Sequence, residues 1–434
     1  MTPPPVIVIG GGWAGLTAAV ELSAAGKTVH LLEAAPQLGG RARGVMLDDR
    51  PLDNGQHLLI GGYHSTLELL QRIGAEEDTM LLRQALHLEV QRPQGVLHLE
   101  APRLPAPLHL LAALWRGLRG DERRAALHFC LRSYRQRFHL AQDTSVAQLL
   151  SDQPASLVGA LWEPLCLATL NTPITEASAN IFLRVLRDAF SRRRHDSDLL
   201  FPRRDLGALL PQPAAAFIRR HGGSVDVRRR VDALAIDDER IQGVLCDGRL
   251  LAASAVVIAT APWHAMRLVG PHAALRPLAA QLLQLRSDPI ATVYLHYPAG
   301  TTLGKPMVGL SATTTQWIVD RGITSDQSGL MAAIISGPGK HTQWSSAALC
   351  TRVTDELAQQ FPQWPKPLSV RVIRERRATF RSSIDIDTLR PDNATPVEGL
   401  WLAGDYTDTG YPATLEGAVR SGVQCARHLL RQTA

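Results

Sequence analysis

Two glycine-rich segments at opposite ends of the chain could bind a dinucleotide. Near the start, the apolar run Val6–Ile9 leads into Gly10, Gly12 and Gly15, with the G-x-G-x-x-G spacing that opens a helix. The first glycine allows a tight turn, the second lets the backbone approach a pyrophosphate, and the third permits close packing of helix on strand. Because the amino end of a helix also attracts phosphate groups, this segment predicts a dinucleotide site.

The residues that follow the first helix sharpen this prediction. Glu33 ends the second apolar run, about twenty residues after the glycines, where an acidic side chain accepts the ribose hydroxyls of a dinucleotide. A carboxylate at this place repels a 2′-phosphate, so NADP is disfavoured. Gly39 and Gly40 then expose backbone N–H groups, and Arg41 can add a charge-assisted hydrogen bond to a phosphate.

The second segment lies near the carboxyl end of the 434-residue chain. The apolar residues at 400–403 lead into Gly404 and Asp405, and a helix is predicted from Leu415 onward. A nicotinamide dehydrogenase needs only the first segment, so the presence of both predicts a flavin dinucleotide that runs between them. The amino end of that helix attracts negative charge through the helix dipole.

Together these motifs resemble the FAD-dependent amine oxidase and phytoene desaturase superfamily. The resemblance is carried by Glu33 with Gly-Gly-Arg at 39–41, by Gly-Asp at 404–405, and by the segment 415–422. It implies that FAD is the cofactor, that Asp405 bonds the ribityl–phosphate region, and that the backbone of Val231 contacts adenine. The full set of cofactor contacts that it implies is Gly10, Gly12, Ala14, Gly15, Glu33, Ala34, Gly40, Arg41, Gly55, Gln56, His57, Val231, Gly404, Asp405, Thr414 and Leu415.

The predicted fold class is α/β with mixed α+β character. A β-α-β unit opens the chain, and a meander of short strands after residue 222 returns it to the first sheet. We predict a Rossmann-like FAD-binding domain of the glutathione-reductase type, interleaved with a discontinuous substrate-binding domain and a helical, membrane-facing part. The predicted bounds are 1–60, 205–265 and 396–434 for the FAD-binding domain, 61–102 and 266–395 for the substrate-binding domain, and 103–204 for the helical part.

Two further segments narrow the resemblance. Asp-Asn-Gly-Gln-His at 53–57 and the stretch 161–173, which contains Leu-Asn-Thr-Pro, are similar to the squalene-associated desaturase branch. That branch comprises hydroxysqualene dehydroxylases of bacterial hopanoid synthesis. The implied reaction replaces the allylic hydroxyl of a thirty-carbon isoprenoid, hydroxysqualene, by hydride from reduced flavin. It requires a proton donor near the ring, a water-poor tunnel and an electron donor, which the residues leave unidentified.

His57 is the first candidate for this proton donor, because imidazole carries a proton near neutral pH. An equally open interpretation is a neutral His57 that bonds the flavin edge without transferring a proton. Asp53 either orients His57 or caps the loop. Tyr411 and Asp408, in the segment that meets the ring, are the alternative donors.

The net charge of +6 is concentrated in one region. Between Arg103 and Leu140 there are eight arginines against two acidic residues, and this local excess of +6 leaves the rest of the chain near zero. Such a surface predicts an anionic partner, although a solvated arginine-rich helix face is an equal alternative. Given a lipid substrate, we predict attachment to an anionic membrane through residues 103–140. The predicted interface residues are Leu110, Leu114, Trp115 and Leu118, with Arg116, Arg119, Arg123 and Arg124 toward lipid phosphates.

Other classes of location and partner are disfavoured. No apolar stretch approaches the roughly 18 residues of a membrane-spanning helix, and the amino terminus lacks the pattern of a signal peptide. The five cysteines are far apart, which predicts a reduced, cytoplasmic protein without a metal, held peripherally at the inner face of the cell membrane. Aromatic residues are not interleaved with the basic ones, so nucleic acid is not an expected partner.

Three other functions stay open. The same superfamily contains oxidative desaturases of carotenoid-type isoprenoids and flavin amine oxidases, and the flavin motifs do not encode the direction of the reaction. Amine oxidases of this kind pair two aromatic residues before the ring; Tyr411 could be one, but the sequence does not reveal its partner. A non-enzymatic prenyl-lipid carrier has a similar fold, but the complete flavin motifs at 39–41 and 404–405 argue against it.

Overall fold

The computed structural model describes residues 4–190 and 192–432. Within these residues the chain forms twenty strands, numbered β1 to β20 in chain order: Val6–Ile9, Val29–Glu33, Gly44–Leu47, Arg50–Asp53, Leu59–Ile60, Leu81–Gln84, His87–Arg92, Gly95–Glu100, Leu199–Pro202, Ser224–Val227, Ala233–Asp237, Arg240–Cys246, Arg249–Ala252, Ala255–Ile258, Ser287–His296, Met307–Leu310, Trp317–Asp320, Leu330–Ser336, Ser369–Phe380 and Leu400–Leu402.

The same residues form sixteen α-helices, numbered α1 to α16: Trp13–Ala24, His64–Ile73, Glu77–Met80, Leu108–Gly117, Gly120–Arg135, Val146–Leu149, Ala155–Leu157, Glu163–Leu170, Ala179–Phe190, Leu206–Leu209, Pro211–Arg220, Pro262–Val269, Arg276–Gln284, Arg321–Ser325, Ser346–Gln360 and Leu415–Gln432. A π-helical turn, Val158–Trp162, joins α7 to α8. The mixed α/β class predicted from the sequence is confirmed.

A five-stranded parallel sheet carries both glycine-rich segments. Its strand order is β10-β2-β1-β14-β20, so the first and last strands of the chain flank β14. Every residue of β1 and β14 is buried, which is typical of parallel strands covered on both faces. A separate antiparallel meander of β11, β12 and β13 follows β10, as the sequence predicted.

Helices α1 and α16 pack closely against each other. A Cβ atom at Gly422 of α16 would lie 2.5 Å from the carbonyl oxygen of Ala14 in α1, so only glycine fits this crossing. One residue earlier, the Ser421 hydroxyl accepts a 2.8 Å hydrogen bond from the Gly404 amide. The Ser-Gly pair therefore holds the last helix against both the first helix and the loop after β20.

A seven-stranded sheet forms the second layer, in the order β19-β15-β18-β17-β16-β7-β8. Side chains alternate between its two faces. Residues such as Val293, Ile318 and Leu295 pack with α15 in one hydrophobic core, while Trp317, Ile334 and their same-face neighbours line a large cavity. Strands from both predicted ranges of the substrate-binding domain, 61–102 and 266–395, contribute to this one sheet.

Two elements pack with other parts of the structure than the predicted domain bounds imply. Helix α2, at 64–73, packs its buried Leu69, Leu70 and Ile73 into the core around α1 and α16 rather than into the seven-stranded sheet. Strand β9, inside the range predicted to be helical, pairs with β5 and β6. Both elements differ from the predicted domain bounds because each buries its apolar residues against the core that lies next to it in the folded protein.

The arginine-rich helices α4 and α5 turn most of their apolar residues inward, contrary to the predicted membrane face. Leu114 and Leu118 are buried in the core, and Leu110 lines the cavity. Of the predicted interface residues only Trp115 is exposed, at 58%. In the described part of the chain, no helix combines the length and the apolar character needed to cross a membrane.

Among the arginines predicted to face lipid phosphates, two have other contacts. Arg124 pairs with the exposed Asp121. Arg123 donates to the Leu118 carbonyl at 2.8 Å and stacks on the Trp115 ring at 4.7 Å. Arg116, Arg119 and Arg124 stay exposed, so of the four predicted arginines only Arg123 is partly withdrawn from solvent.

Glu416, at the start of α16, joins the last helix to α2. Its fully buried carboxylate accepts hydrogen bonds from the Thr66 amide at 2.9 Å, the Thr66 hydroxyl at 2.7 Å and the Ser65 amide at 3.2 Å. It also accepts from Arg420 at 2.8 Å. Four donors therefore depend on one carboxylate.

We predict that Glu416→Ala lowers the free energy of unfolding by about 3–5 kcal/mol, because it leaves buried donors and a cation without their acceptor. The matched control is Glu398→Ala, which breaks an ion pair with Arg240 in which both side chains are 64% exposed and should cost less than about 1 kcal/mol. Chemical denaturation followed by circular dichroism measures both. Equal losses in the two variants would contradict the structural role assigned to Glu416.

Candidate cofactor and substrate site

The two glycine-rich segments meet at one edge of the five-stranded sheet. Because β1 and β20 run parallel, their carboxyl ends deliver Gly10 and Gly404 to the same side. The loop after β2 joins them there, since the Gly39 amide donates to the Gly11 carbonyl at 2.8 Å. Gly15 supports this turn from below, because a Cβ atom there would lie 2.0 Å from the Gly10 carbonyl oxygen.

An ion pair joins the amino-terminal and carboxy-terminal motifs. Arg41 Nη2 donates to Asp405 Oδ1 at 2.6 Å, and Nη1 donates to the Ala378 carbonyl at 2.8 Å. Burial lowers the pKa of Arg41, but the Asp405 carboxylate, together with Glu375 and Tyr406, outweighs that effect and leaves the pKa above its ordinary value. The two side chains that the resemblance placed on the cofactor therefore also fix each other.

Glu33 is held by the loops around it. Its Oε2 accepts from the Gly11 amide at 2.6 Å and its Oε1 from the Ala35 amide at 2.7 Å. The carboxylate lines the cavity at the end of β2, beside Arg229, whose amide donates to the Glu33 carbonyl at 2.8 Å. A carboxylate in this place can accept ribose hydroxyls, which is the role that the sequence predicts for Glu33.

The backbone around this edge fits a dinucleotide. Helix α1 begins after Gly12, which has no side chain to cap it, and the first-turn residues Trp13 and Ala14 line the cavity. Uncapped first-turn N–H groups form an anion site suited to a pyrophosphate. Val231 also lines the cavity, and no hydrogen bond within residues 4–190 and 192–432 occupies its backbone, which leaves it available to adenine.

One continuous cavity of about 1480 Å³ extends from these loops. It exceeds the roughly 300–1,000 Å³ of a site for one small molecule, so it has room for a dinucleotide and a second large ligand. Gly15 is the one predicted contact that lies behind the wall rather than in it. The predicted contacts that line the cavity are Gly10, Gly12, Ala14, Glu33, Ala34, Gly40, Arg41, Gly55, Gln56, His57, Val231, Gly404, Asp405, Thr414 and Leu415.

Beyond the dinucleotide loops, the cavity continues as an apolar arm between the seven-stranded sheet and the helices α4, α5, α8 and α9. Its walls include Leu88, Leu99, Leu110, Leu114, Leu127, Phe138, Leu161, Trp162, Val185, Met307, Trp317 and Ile334. The described lining residues that carry a carboxylate lie at the dinucleotide end, around Arg41 and Val231: Glu33, Asp232, Glu375 and Asp405. The apolar arm therefore suits an uncharged, largely hydrocarbon ligand.

The cavity reaches the surface in two places with opposite chemistry. At the dinucleotide end most of the exposed lining residues are charged or polar: Ala34, Arg230, Asp232, His264 and Arg267. At the other end they are largely apolar: Leu131, Tyr134 and Ala168. The second opening is where a hydrocarbon ligand would enter.

The loop at 53–57 is held from behind by buried Arg321. Asp53 accepts from the Leu206 amide at 2.7 Å and lies 3.6 Å from Arg321, which also donates to the Gln56 side chain at 2.8 Å. Burial raises the pKa of Asp53 to about 6, against the opposing effect of Arg321. Asp53 does not line the cavity and has no bond to His57, so the prediction that it orients His57 is wrong; it anchors the loop.

His57 faces the cavity with an acceptor rather than a proton. Its Nδ1 lies 2.7 Å from the Gly55 carbonyl, and because a carbonyl only accepts, Nδ1 carries the hydrogen. Burial lowers the pKa of His57 below the ordinary imidazole range, so the ring is neutral near pH 7 and Nε2 is unprotonated. Of the two interpretations of His57, this geometry favours a neutral side chain that accepts a hydrogen bond over a proton donor.

Tyr411 lines the cavity, and the structure supplies the aromatic partner that the sequence did not reveal. The Tyr63 ring lies 6.3 Å from the Tyr411 ring at an interplanar angle of 75°. Asp408, the other alternative donor, is exposed, does not line the cavity and accepts from the Gly410 amide, so its predicted catalytic role is wrong. Tyr63 was missed because only the packing of α2 on α16 brings it there.

The Leu-Asn-Thr-Pro motif at 170–173 has a structural role that the sequence did not reveal. Asn171 ends α8 in a left-handed conformation, with φ of 53°. Its side chain donates to the Thr379 hydroxyl at 2.9 Å and accepts from the Gly337 amide at 2.6 Å. This residue ties the end of α8 to β19 and to the loop after β18, which closes one wall of the cavity.

Comparison with known proteins agrees with this site. The family model for flavin containing amine oxidoreductases matches residues 13–430. A hydroxysqualene dehydroxylase of Rhodopseudomonas palustris is 29% identical over 97% of this chain and 97% of the relative. A 15-cis-phytoene desaturase of an Oncidium hybrid cultivar is 25% identical over 99% of this chain and 78% of the relative. The resemblance predicted from the sequence is confirmed.

A solved structure shows the same fold. The crystal structure of an oxidoreductase from Methanosarcina mazei superposes with a TM-score of 0.78, at 15% sequence identity, and covers 98% of this chain and 100% of that protein. At this identity the likeness concerns the fold alone.

We predict that Asp405→Ala weakens FAD binding by about 10- to 100-fold, since a hydrogen bond to a charged group is worth about 1.5–3 kcal/mol. Asp408→Ala is the matched control, because it removes an exposed carboxylate three residues later that does not line the cavity. Titration of apoprotein with FAD, followed by flavin fluorescence, gives both affinities. Equal weakening in the two variants would exclude Asp405 as a cofactor contact.

Proposed function

Because the chain belongs to the family of flavin containing amine oxidoreductases, it is an FAD-dependent oxidoreductase, and we propose that it reduces hydroxysqualene to squalene. The observation that carries this proposal is the apolar arm, which continues from the dinucleotide loops and holds no carboxylate among its described lining residues. A thirty-carbon isoprenoid with one hydroxyl matches such an arm. The similarity to hydroxysqualene dehydroxylases supports the same substrate.

The reaction breaks the allylic C–O bond and forms a C–H bond at the same carbon. Reduced FAD, when bound, supplies the hydride and is oxidised by two electrons. A proton joins the departing hydroxyl, which leaves as water. A two-electron donor restores the cofactor, and in the test below dithionite takes its place.

The chain supplies the surroundings that this chemistry needs. Gly12, Glu33, Arg41 and Asp405 would hold the dinucleotide, and the amino end of α16 at Leu415 would stabilise negative charge beside it. The apolar walls exclude water, which would otherwise compete for an allylic cation. Neutral His57 offers an acceptor at Nε2, and the Tyr411 hydroxyl offers a donor.

Oxidative desaturation of a carotenoid-type isoprenoid is the second candidate, since the similarity to a phytoene desaturase and the apolar arm favour it as well. Amine oxidation has one supporting feature, the Tyr63–Tyr411 pair. A protonated amine would, however, enter an arm whose described walls offer no carboxylate, at a high desolvation cost. A flavin-free lipid carrier would have no use for the cofactor loops.

We predict that anaerobic enzyme with FAD, dithionite and hydroxysqualene yields squalene, detected by gas chromatography with mass spectrometry. Oxidised enzyme with phytoene and a quinone, and oxidised enzyme with polyamines, form the comparison arms. Desaturated phytoene without squalene would establish the desaturase, and hydrogen peroxide from polyamines alone would establish the amine oxidase. Either result would overturn the proposal.

We also propose that the chain collects its substrate at the inner face of the cell membrane and serves hopanoid synthesis. Leu131 and Tyr134 are one helical turn apart on α5, line the apolar opening and are 47% and 62% exposed. Exposed Arg135 and Arg137 lie next to them. Exposed apolar residues beside basic ones favour binding to anionic lipid.

We predict that Leu131→Asp with Tyr134→Asp lowers binding to phosphatidylglycerol vesicles at least tenfold in a flotation assay. The matched control is Leu250→Asp with Leu283→Asp, which alters two residues that are 55% and 72% exposed and lie away from the opening. Its vesicle binding should stay at the wild-type level. Equal binding by all three proteins would place the membrane contact elsewhere.

A further inference from the structure

The Tyr411 hydroxyl is a buried polar group without a hydrogen-bond partner in the described part of the chain. Its residue is 1% exposed to solvent and lines the cavity. Folded proteins seldom leave a buried hydroxyl unpaired, since the desolvation of that group is then uncompensated. The missing partner is therefore to be sought in a ligand of the cavity.

The Tyr411 ring is held rigidly, so the direction of its hydroxyl is set before any ligand binds. The Arg420 guanidinium lies 3.9 Å from the centre of the ring, and Tyr63 packs against it edge-on. Glu416 binds Arg420 and the amino end of α2, directly after Tyr63, so it fixes both neighbours. The Tyr63 hydroxyl is hydrogen-bonded to Thr414, which leaves Tyr411 as the partnerless member of the pair.

The Tyr411 hydroxyl acts as a hydrogen-bond donor. Burial raises the pKa of Tyr411 far above the ordinary phenol range, so the group stays protonated at physiological pH. His57, in contrast, presents an acceptor. A ligand hydroxyl oxygen is a suitable acceptor for the Tyr411 proton, and a hydrogen bond there also draws electron density from a C–O bond that is to break.

Two other unpaired buried groups in the cavity wall are less suited to this role. The Tyr406 hydroxyl belongs to the cofactor end, next to Asp405 and within the electrostatic influence of Arg41. The Trp317 indole N–H lies on the seven-stranded sheet, among the apolar walls. Of these three groups, Tyr411 alone combines an unpaired donor with a place shortly before α16, the helix whose amino end the family resemblance places at the flavin.

We propose that Tyr411 recognises the hydroxyl of the substrate and thereby distinguishes substrate from its deoxygenated product. This inference rests on the proposed reduction of hydroxysqualene. A site that is built to bind a ligand hydroxyl rejects the analogue without it, because the protein group is then left unpaired. Squalene returns Tyr411 to its unpaired state, so the product binds more weakly than the substrate and leaves.

The test measures binding to oxidised, FAD-loaded enzyme, in which the reductive reaction does not proceed. Hydroxysqualene and squalene are titrated in detergent micelles, and the change in flavin absorbance gives the two dissociation constants. Wild type should bind hydroxysqualene at least tenfold more tightly than squalene. Tyr411→Phe should bring that ratio close to one through weaker binding of hydroxysqualene, with Tyr411→Leu as a second variant without the hydroxyl.

Tyr406→Phe and Trp317→Phe are the matched controls, because each removes another unpaired buried donor of the same cavity. Both should keep the wild-type ratio. An unchanged ratio in the Tyr411 variants, loss of the ratio in a control instead, or loss of FAD from Tyr411→Phe would overturn the inference. Equal binding of both ligands by wild type would refute hydroxyl recognition alone, whereas binding of neither would refute the proposed function as well.

Discussion

Strand β14 pairs in parallel with β1 on one side and β20 on the other, and this pairing brings the two ends of the chain to one edge of a sheet. The Arg41–Asp405 ion pair then closes the connection at 2.6 Å. Because parallel strands end at the same side, both glycine-rich loops face one cavity. The position of the cofactor, and with it the position of every group that could act on a substrate, depends on this arrangement.

Charge is distributed so that the reacting region stays apolar. Asp53 with Arg321, and Glu416 with Arg420, are buried or half-buried behind the cavity wall, where each pair fixes a loop or a ring that faces the lumen. Within the apolar arm, the unpaired polar groups of the described residues are neutral donors. An uncharged hydrocarbon can therefore enter without the desolvation of an ion, and an aromatic hydroxyl remains to meet its one polar atom.

The apolar residues of helices α4 and α5 have two different roles, and the amphipathic pattern of the sequence does not show which residue has which role. Leu110 and Leu114 of α4 line the arm, whereas Leu131 and Tyr134 of α5 line the opening and stay exposed. One set of apolar residues thus builds the wall of the arm, and the other leaves a lipid-compatible rim at its mouth. Exposed Arg135 and Arg137 beside that rim contribute part of the local excess of positive charge.

The sequence by itself determined the dinucleotide site, because glycine spacing, an acidic residue after β2 and an apolar strand act through local backbone geometry that needs no distant partner. It also determined the α/β class and, through the motifs at 39–41 and 404–405, the flavin. Tertiary structure alone decided the rest. Contacts between residues far apart in the chain place Arg321 behind the 53–57 loop and Tyr63 beside Tyr411. His57 carries its proton on Nδ1 because the folded loop places that nitrogen against the Gly55 carbonyl. Such contacts leave no periodic or local pattern in the sequence. The sequence therefore predicted both His57 and Asp408 as candidate proton donors. In the folded protein, His57 Nδ1 lies against a backbone carbonyl and Asp408 is exposed to solvent.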